Sequence, residues 1–229
     1  GVKAVIEAKR LIESELCDAV ICGGVDSLNT LTINGFNSLS ILSSAPSQAF
    51  SKNREGINIG EGAVLFLLSR DEISNVAVAN SASNCDAFHM TQPDFSAKMA
   101  VNCIEGALKR ASMSGVDYVN LHGTGTQAND KMEAKAVNLT LGATFASTLK
   151  PQIGHTLGAA GAIESAICVM LCMEENSTLP PHVYDGEYDE SLEAINLVKS
   201  DTKFDVKTAM SLSFAFGGDN AAIIFKRVR

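Results

Sequence analysis

The chain has 229 residues, with 18 Lys and Arg against 26 Asp and Glu, a net charge of −8, 46% hydrophobic residues and 19% charged ones. This is the balance of an ordinary globular chain, and with no basic run beyond two residues it argues against a nucleic-acid backbone as partner. The longest apolar stretch, 158–173, carries Glu164 in its middle, so no membrane partner is expected. The N-terminus has no basic, apolar, small-residue leader order, and a cytoplasmic setting is the default.

In chain order, apolar and charged residues share 1–16 at near-helical spacing, with no capping residue ahead of them, which reads as a truncated start. A short buried strand follows over 18–24, ending in a Gly-Gly turn. Residues 27–59, rich in Ser, Asn, Gly and Pro, are expected to be irregular with short helical turns. Strands are expected at 62–69 and 76–80 across a polar connection. Next come a helix at 96–112, a strand at 116–121, a helix at 130–141 and a strand at 143–147. A nearly all-apolar helix at 159–174 should be buried on most sides. Two strands, 207–214 and 221–225, flank a final glycine turn. Strands and helices alternating in this way argue for an α/β layered fold.

Six cysteines (Cys17, Cys22, Cys85, Cys103, Cys168 and Cys172) show neither CxxC spacing nor a Cys/His pair at zinc spacing. Reduced thiols are expected, with Cys168 and Cys172 sharing one face of an apolar helix as core residues. No metal site is expected.

Two of the four histidines stand in unusual company. His122 opens His-Gly-Thr-Gly-Thr directly after a strand, and His155 lies in a glycine-rich loop that feeds the apolar helix. A histidine ending a buried strand of an α/β fold points to the usual ligand crevice, and glycines beside it allow close approach. Either could instead be a satisfied structural histidine. Both together, each flanked by glycine at a strand-to-helix junction, favour a functional role. The turn Phe216-Gly217-Gly218 needs positive φ at a glycine, and its exposed amides could serve an oxyanion hole. Glu133, eleven residues after His122, either orients a site residue or is a solvated helix residue.

Six blocks in order resemble the β-ketoacyl-acyl carrier protein synthases, decarboxylating condensing enzymes of the thiolase-like fold. They are Cys17-Asp-Ala-Val-Ile-Cys-Gly-Gly-Val-Asp, Phe50-Ser-Lys-Asn-Arg-Glu-Gly with Gly60-Glu-Gly-Ala, and Asp86-Ala-Phe-His-Met-Thr-Gln-Pro. His122-Gly-Thr-Gly-Thr with Asp130 and Glu133, Lys150 with Gly154-His155, and Phe216-Gly-Gly complete the set. The resemblance implies a layered α-β-α-β-α architecture with an incomplete N-terminal half, divided as 1–72 and 73–229.

It further implies that His122 and His155 are the catalytic histidines and Lys150 the lysine of the same site. Phe216 would be the gating residue whose amide helps form an oxyanion hole. Thr124 and Thr126 would hydrogen-bond a phosphopantetheine arm, and Glu133 would be the buried carboxylate near the lysine. The implied reaction loads an acyl group on a cysteine and condenses it with the enolate left when a malonyl-carrier protein loses CO2. Two neutral imidazoles offering N–H groups to the thioester oxygen suit that developing charge. No cofactor is implied, because phosphopantetheine arrives on the acyl carrier protein. The implied assembly is a homodimer, or a heterodimer with a related ketosynthase, in fatty-acid or in polyene or polyketide synthesis.

The family's nucleophilic cysteine precedes the helix with which this chain opens, so the 229-residue chain alone is expected to be inactive and to form no acyl-enzyme. Asp219 stands where the family usually has Thr, and Gln127 where it usually has Pro. A non-catalytic, chain-length-determining partner subunit is the alternative, opposed by His122 and His155. A hydrolase is more distant, for want of a G-x-S-x-G nucleophile elbow. An acidic carrier protein would need a local basic patch on this acidic chain, with Lys3, Lys52 and Arg54 as candidates.

Overall fold

The computed structural model describes residues 1–228. Its elements run α1 (Val2–Glu13), β1 (Ala19–Asp26), α2 (Thr30–Ser38), β2 (Gly62–Ser69), β3 (Val76–Cys85), α3 (Lys98–Arg110), β4 (Tyr118–Asn120) and α4 (Gln127–Leu141). After these come β5 (Phe145–Ser147), α5 (Lys150–Ile153), α6 (Ala160–Met173), β6 (Ser177–Thr178), β7 (Lys203–Phe204), β8 (Thr208–Ala215) and β9 (Asp219–Arg227). The expected strands and helices are all present, but Gly23 and Gly24, expected to turn, pair within β1 opposite Leu65 and Val64, and the strand runs on to Asp26. The segment 27–59 differs from expectation in holding a nine-residue helix, α2, capped by the Asn29 side chain accepting from the Thr32 amide at 2.9 Å.

Five strands form one sheet in the order β3-β9-β8-β4-β5. The edge formed by β4 and β5 is parallel, and β3, β9 and β8 are antiparallel. Strands β1 and β2 pair antiparallel as a separate two-stranded sheet, Ala19 opposite Ser69 through Asp26 opposite Gly62. Helices α1 and α6 lie between the two sheets, and α3 and α4 pack on one another, with α3 against the outer face of the larger sheet.

This stack explains the composition of α6. A helix between two sheets is buried on most sides: Ala160, Ala162, Cys168, Leu171 and Cys172 are buried, and Met170 and Met173 near its end are exposed. The thiols of Cys168 and Cys172 point at the carbonyls of Met210 and Phe225, as core residues. One cluster under α3 and α4 centres on Ile104, Leu121, Met132, Met210 and Leu212; another between α1, α6 and the sheet centres on Val5, Tyr118, Leu179, Ile223 and Phe225. Four layers are thus described, β-α-β-α. On the far face of the small sheet Ile21, Val25, Leu65 and Leu67 are exposed, so β1 and β2 alternate in burial instead of being buried on both faces as the sequence suggests. Among the described residues, no helix is long and apolar enough to cross a membrane.

Candidate active site

The site gathers where β4, β8 and the start of α6 meet. The chain leaves β4 at Asn120 and turns at once through His122 and Gly123. Gly123 has φ +42°, and a Cβ there would meet the Cβ of Thr148 at 2.7 Å, so only glycine lets the turn lie against β5's exit. Buried Glu133, nearly two turns into α4, holds this turn from below. It accepts the amide N–H groups of His122 at 2.6 Å and Gly123 at 2.7 Å, and the Asn129 side-chain amide at 3.0 Å. Burial pushes its carboxyl up to about 7, with neighbouring Asp130 adding to the rise and the three N–H donors opposing it.

The second histidine arrives from the other side. Its amide donates to Asn58 O at 2.7 Å and its carbonyl accepts from Gly60 N at 3.0 Å, a short parallel bridge to Ile59. Gly154, φ +72°, permits that approach: a Cβ would sit 2.8 Å from the Gly60 Cα. The two rings then meet edge to face, 5.3 Å between centroids and 82° between planes. Both imidazoles are held neutral. Burial, Lys150 and His155 lower the pKa of His122 well below its usual value, and burial with Lys150 lowers that of His155 to about 3.

Lys150 opens α5 and is 2% exposed, which for an ammonium demands partners. It donates to the carbonyl of His122 and to the carboxylate of Glu164 on α6. The sequence-based expectation put Glu133 beside the lysine. Glu133 is buried nearby but braces the His122 turn, and the acid paired with Lys150 is Glu164. A charge in the middle of an apolar helix was the signal for it, since a buried carboxylate needs a cation. Glu164's other oxygen and the Asn120 and Ser211 side-chain oxygens are buried with no partner among the described residues.

A cavity of about 440 Å³ opens over both rings, lined also by Thr124, Thr126, Phe214 and Phe216. The Thr124 and Thr126 hydroxyls bond each other at 2.9 Å, and Thr126 caps α4 by accepting from the Asn129 amide at 3.3 Å. At the glycine turn both Gly217 and Gly218 have positive φ, as expected. Their amides, however, are taken by Met90 O at 2.7 Å and Ala215 O at 3.2 Å. Of the turn's three amides, that of Phe216 alone has no backbone acceptor among the described residues. The Phe216 ring stacks on Phe36 of α2, 6.0 Å between centroids, at the cavity wall.

His182 carries no motif in the sequence, yet the structure builds it into the site's support. Its Nε2 lies 3.0 Å from Ala49 O and its Nδ1 accepts from the Thr148 amide at 3.4 Å, tying two segments behind the His122 turn. Among the described residues no cysteine lines the cavity, and no cluster of His, Cys, Asp and Glu could hold a metal ion.

Residues 1–73 match the family model described as Beta-ketoacyl synthase, N-terminal domain, and residues 76–184 match Beta-ketoacyl synthase, C-terminal domain. The 3-oxoacyl-[acyl-carrier-protein] synthase 2 of Coxiella burnetii is 33% identical over 100% of this chain and 59% of its own length. A solved ketosynthase (ApeO) in complex with its chain length factor (ApeC) from Xenorhabdus doucetiae superposes with a TM-score of 0.94 at 39% identity, covering 98% of this chain and 57% of that one. A type II PKS acyl-carrier protein in complex with its ketosynthase bound to the hexaketide gives 0.92 at 28%, covering 100% and 61%. The chain therefore spans about 59% of the length of such a curated relative. With its layered, thiolase-like α/β fold, the chain belongs to the β-ketoacyl synthase family.

Proposed function

We propose that this chain supplies the decarboxylating half of a ketosynthase site, in a protein that condenses an acyl thioester with malonyl-acyl carrier protein. The observation that carries the reading is the convergence of two neutral imidazoles, 5.3 Å apart, on one cavity. As a malonyl thioester loses CO2, the electron pair of the breaking C–C bond passes to the thioester oxygen and forms an enolate. Ring N–H groups already in place stabilise that charge without moving a proton, and each such donor is worth about 3–4 kcal/mol of barrier. The enolate carbon then attacks the acyl thioester carbonyl and expels its thiolate, a step in which the free Phe216 amide is suited to receive the second oxyanion. Lys150, paired with Glu164, orients the His122 carbonyl and adds to the burial that keeps both rings neutral.

In this reading Thr124 and Thr126, which line the cavity, hydrogen-bond a phosphopantetheine arm that comes with the carrier protein, so no resident cofactor is required. Pairing as a homodimer, or with a related ketosynthase subunit, is part of the same reading, supported by the relative solved with its chain length factor. Six free thiols suit a reducing, cytoplasmic setting. The test is to incubate the full-length protein with an acyl- and a malonyl-carrier protein and weigh the products. A β-ketoacyl product longer by two carbons supports the proposal. The absence of both condensation and CO2 release refutes it, and favours the non-catalytic partner-subunit reading.

A further inference from the structure

The three basic residues that the sequence offers to a partner are all engaged. Lys52 pairs with Glu187, and Arg54 is buried against Asp189 at 2.7 Å and Asp130 at 3.7 Å. Lys3 pairs with Asp219, 216 residues away. This last pair stands apart because both partners line the cavity, where Lys3 is the only lysine or arginine among the described residues. Each is the other's only ion-pair partner among those residues. Asp219 stands where the family usually has Thr, which can accept a hydrogen bond but carries no charge. The pair therefore depends on a departure of this chain from the family pattern.

What the pair joins follows from the two elements that carry it. Lys3 belongs to the start of α1, where Val2 and Val5 are buried. Gly1 lies so close to α6 that a Cβ there would meet the Ala162 amide nitrogen at 2.5 Å, so this end of α1 is packed in place. Asp219 opens β9 directly after Gly218, the last residue of the Phe216-Gly217-Gly218 turn. That turn has two consecutive glycines at φ +83° and +77°. Nothing lies within 4 Å of where a Cβ of Gly217 would be, so packing does little to hold it. Its other ties outside the β8–β9 hairpin run to less buried segments. Gly217 N donates to Met90 O at 2.7 Å, Gly218 O accepts from Asp86 N at 2.7 Å, and the Cys85 thiol lies 3.3 Å from Gly217 O. Met90 and Cys85 are exposed. The Phe216 ring stacks on Phe36 of α2, a helix with no buried residue. Among these ties, that of Lys3 alone leads to a helix packed into the core.

We propose that Lys3 and Asp219 are positioning residues of the condensation: their ion pair fastens the glycine turn to α1 and so fixes the Phe216 amide where the second oxyanion forms. The proposal rests on the ketosynthase reading, in which that amide serves carbon–carbon bond formation and the two histidines serve CO2 release. Loosening the turn then slows the first step and spares the second, a separation that a general loss of stability would not produce. The two side chains are 50% and 40% exposed, which sets the size of the effect at that of a part-exposed ion pair, up to about fivefold.

The experiment uses the full-length protein, Lys3→Met, Asp219→Ala, the double variant and Lys3→Arg, with circular dichroism to verify folding. Hydrogen exchange is followed at the Gly217 and Gly218 amides, both of which are hydrogen-bonded. Condensation is measured with acyl- and malonyl-carrier protein, and CO2 release with malonyl-carrier protein and no acyl donor. Each single variant should exchange these amides and lose condensation kcat by about three- to fivefold, with CO2 release changed less than twofold. The double variant should be no slower than either single one, because the two side chains act through one contact. Lys3→Arg, which keeps the charge, should condense within twofold of the parent. Unchanged exchange or condensation, equal loss of condensation and CO2 release, or additive losses in the double variant overturns the proposal. Should the parent neither condense nor release CO2, the ketosynthase reading fails. The tie between turn and helix is then judged by exchange, where equal rates in parent and variants overturn it. If Asp219→Ala does not fold, Asp219→Asn is expected to give a smaller rise in exchange, and no rise overturns the proposal.

Discussion

The amide of Leu157 donates to Nδ1 of His155 at 3.1 Å, and that single contact assigns the ring's proton. A neutral imidazole accepting at Nδ1 carries its hydrogen on Nε2, where it can be given to a thioester oxygen. The same neutrality sets a pH dependence. His155 is lowered from 6.5 to about 3, and His122 is lowered well below 6.5, so both rings stay neutral donors across the physiological range. CO2 release from malonyl-carrier protein should show no loss with a pKa near 6.5, and the His155 contribution to stability should be full above pH 6.5 and be lost as pH falls toward 3. A rate that halves near pH 6.5 and falls tenfold by pH 5.5 would mean that a histidine titrates normally in the site.

Glu133 offers a second check. Two backbone amides and one side-chain amide share its two oxygens, and Glu133→Gln replaces one acceptor by an NH2 group aimed at a buried N–H. The variant should lose about 1–3 kcal/mol of stability, the cost of one unsatisfied buried donor, and lose activity as the His122 turn shifts. Denaturant melts showing unchanged stability would remove Glu133 from its bracing role.

The Lys150–Glu164 pair predicts non-additivity, because each buried charge is tolerated only with its partner. Lys150→Met should destabilise the protein by about 3–5 kcal/mol, and Glu164→Gln added to it should recover much of that loss. Additive losses in the double variant would show that the two charges do not compensate each other.

Much of this was legible in the residues, for physical reasons. His122 and His155 announce themselves because each stands next to a glycine at a strand-to-helix junction, where the backbone must approach closely. The buried helix α6 follows from its apolar composition, and the strand β2 matches its expected bounds of 62–69. What the sequence hid were partnerships across long separations. Glu164 reads as an interruption of an apolar run until Lys150, fourteen residues away, is seen against it. His182 looks like a loop residue until its ring is placed between Ala49 and Thr148. Helix α2 was hidden in polar composition, its helicity resting on the Asn29 cap more than on an apolar stripe. Lys3, Lys52 and Arg54 looked available because pairing with Asp219, Glu187 and Asp189 depends on contacts more than a hundred residues apart.

The cysteines give a prediction about the 229-residue chain. Cys103, Cys168 and Cys172 are buried with thiols pushed up in pKa by burial, Cys103 and Cys172 to about 12, and Cys85 is exposed away from the cavity lining. Thiolates are the nucleophiles, so the three buried thiols are unsuited to take an acyl group, and Cys85 does not line the cavity. Incubated with acyl-carrier protein and weighed intact, the chain should remain unmodified. A stoichiometric adduct mapped to one of the six cysteines would place the nucleophile within this chain.

Removing the histidines one at a time while counting released CO2 tests the enolate-stabilising pair most directly. In the full-length protein, His122→Ala and His155→Ala should each slow CO2 release from malonyl-carrier protein by about 10²–10³-fold, the loss expected for one oxyanion donor. The double variant should be little slower than either single one, because the two rings serve one oxygen as a unit. Folding stays under control through the melts described for Glu133→Gln. Either single variant decarboxylating at a rate within twofold of the parent would contradict a donor pair at this site.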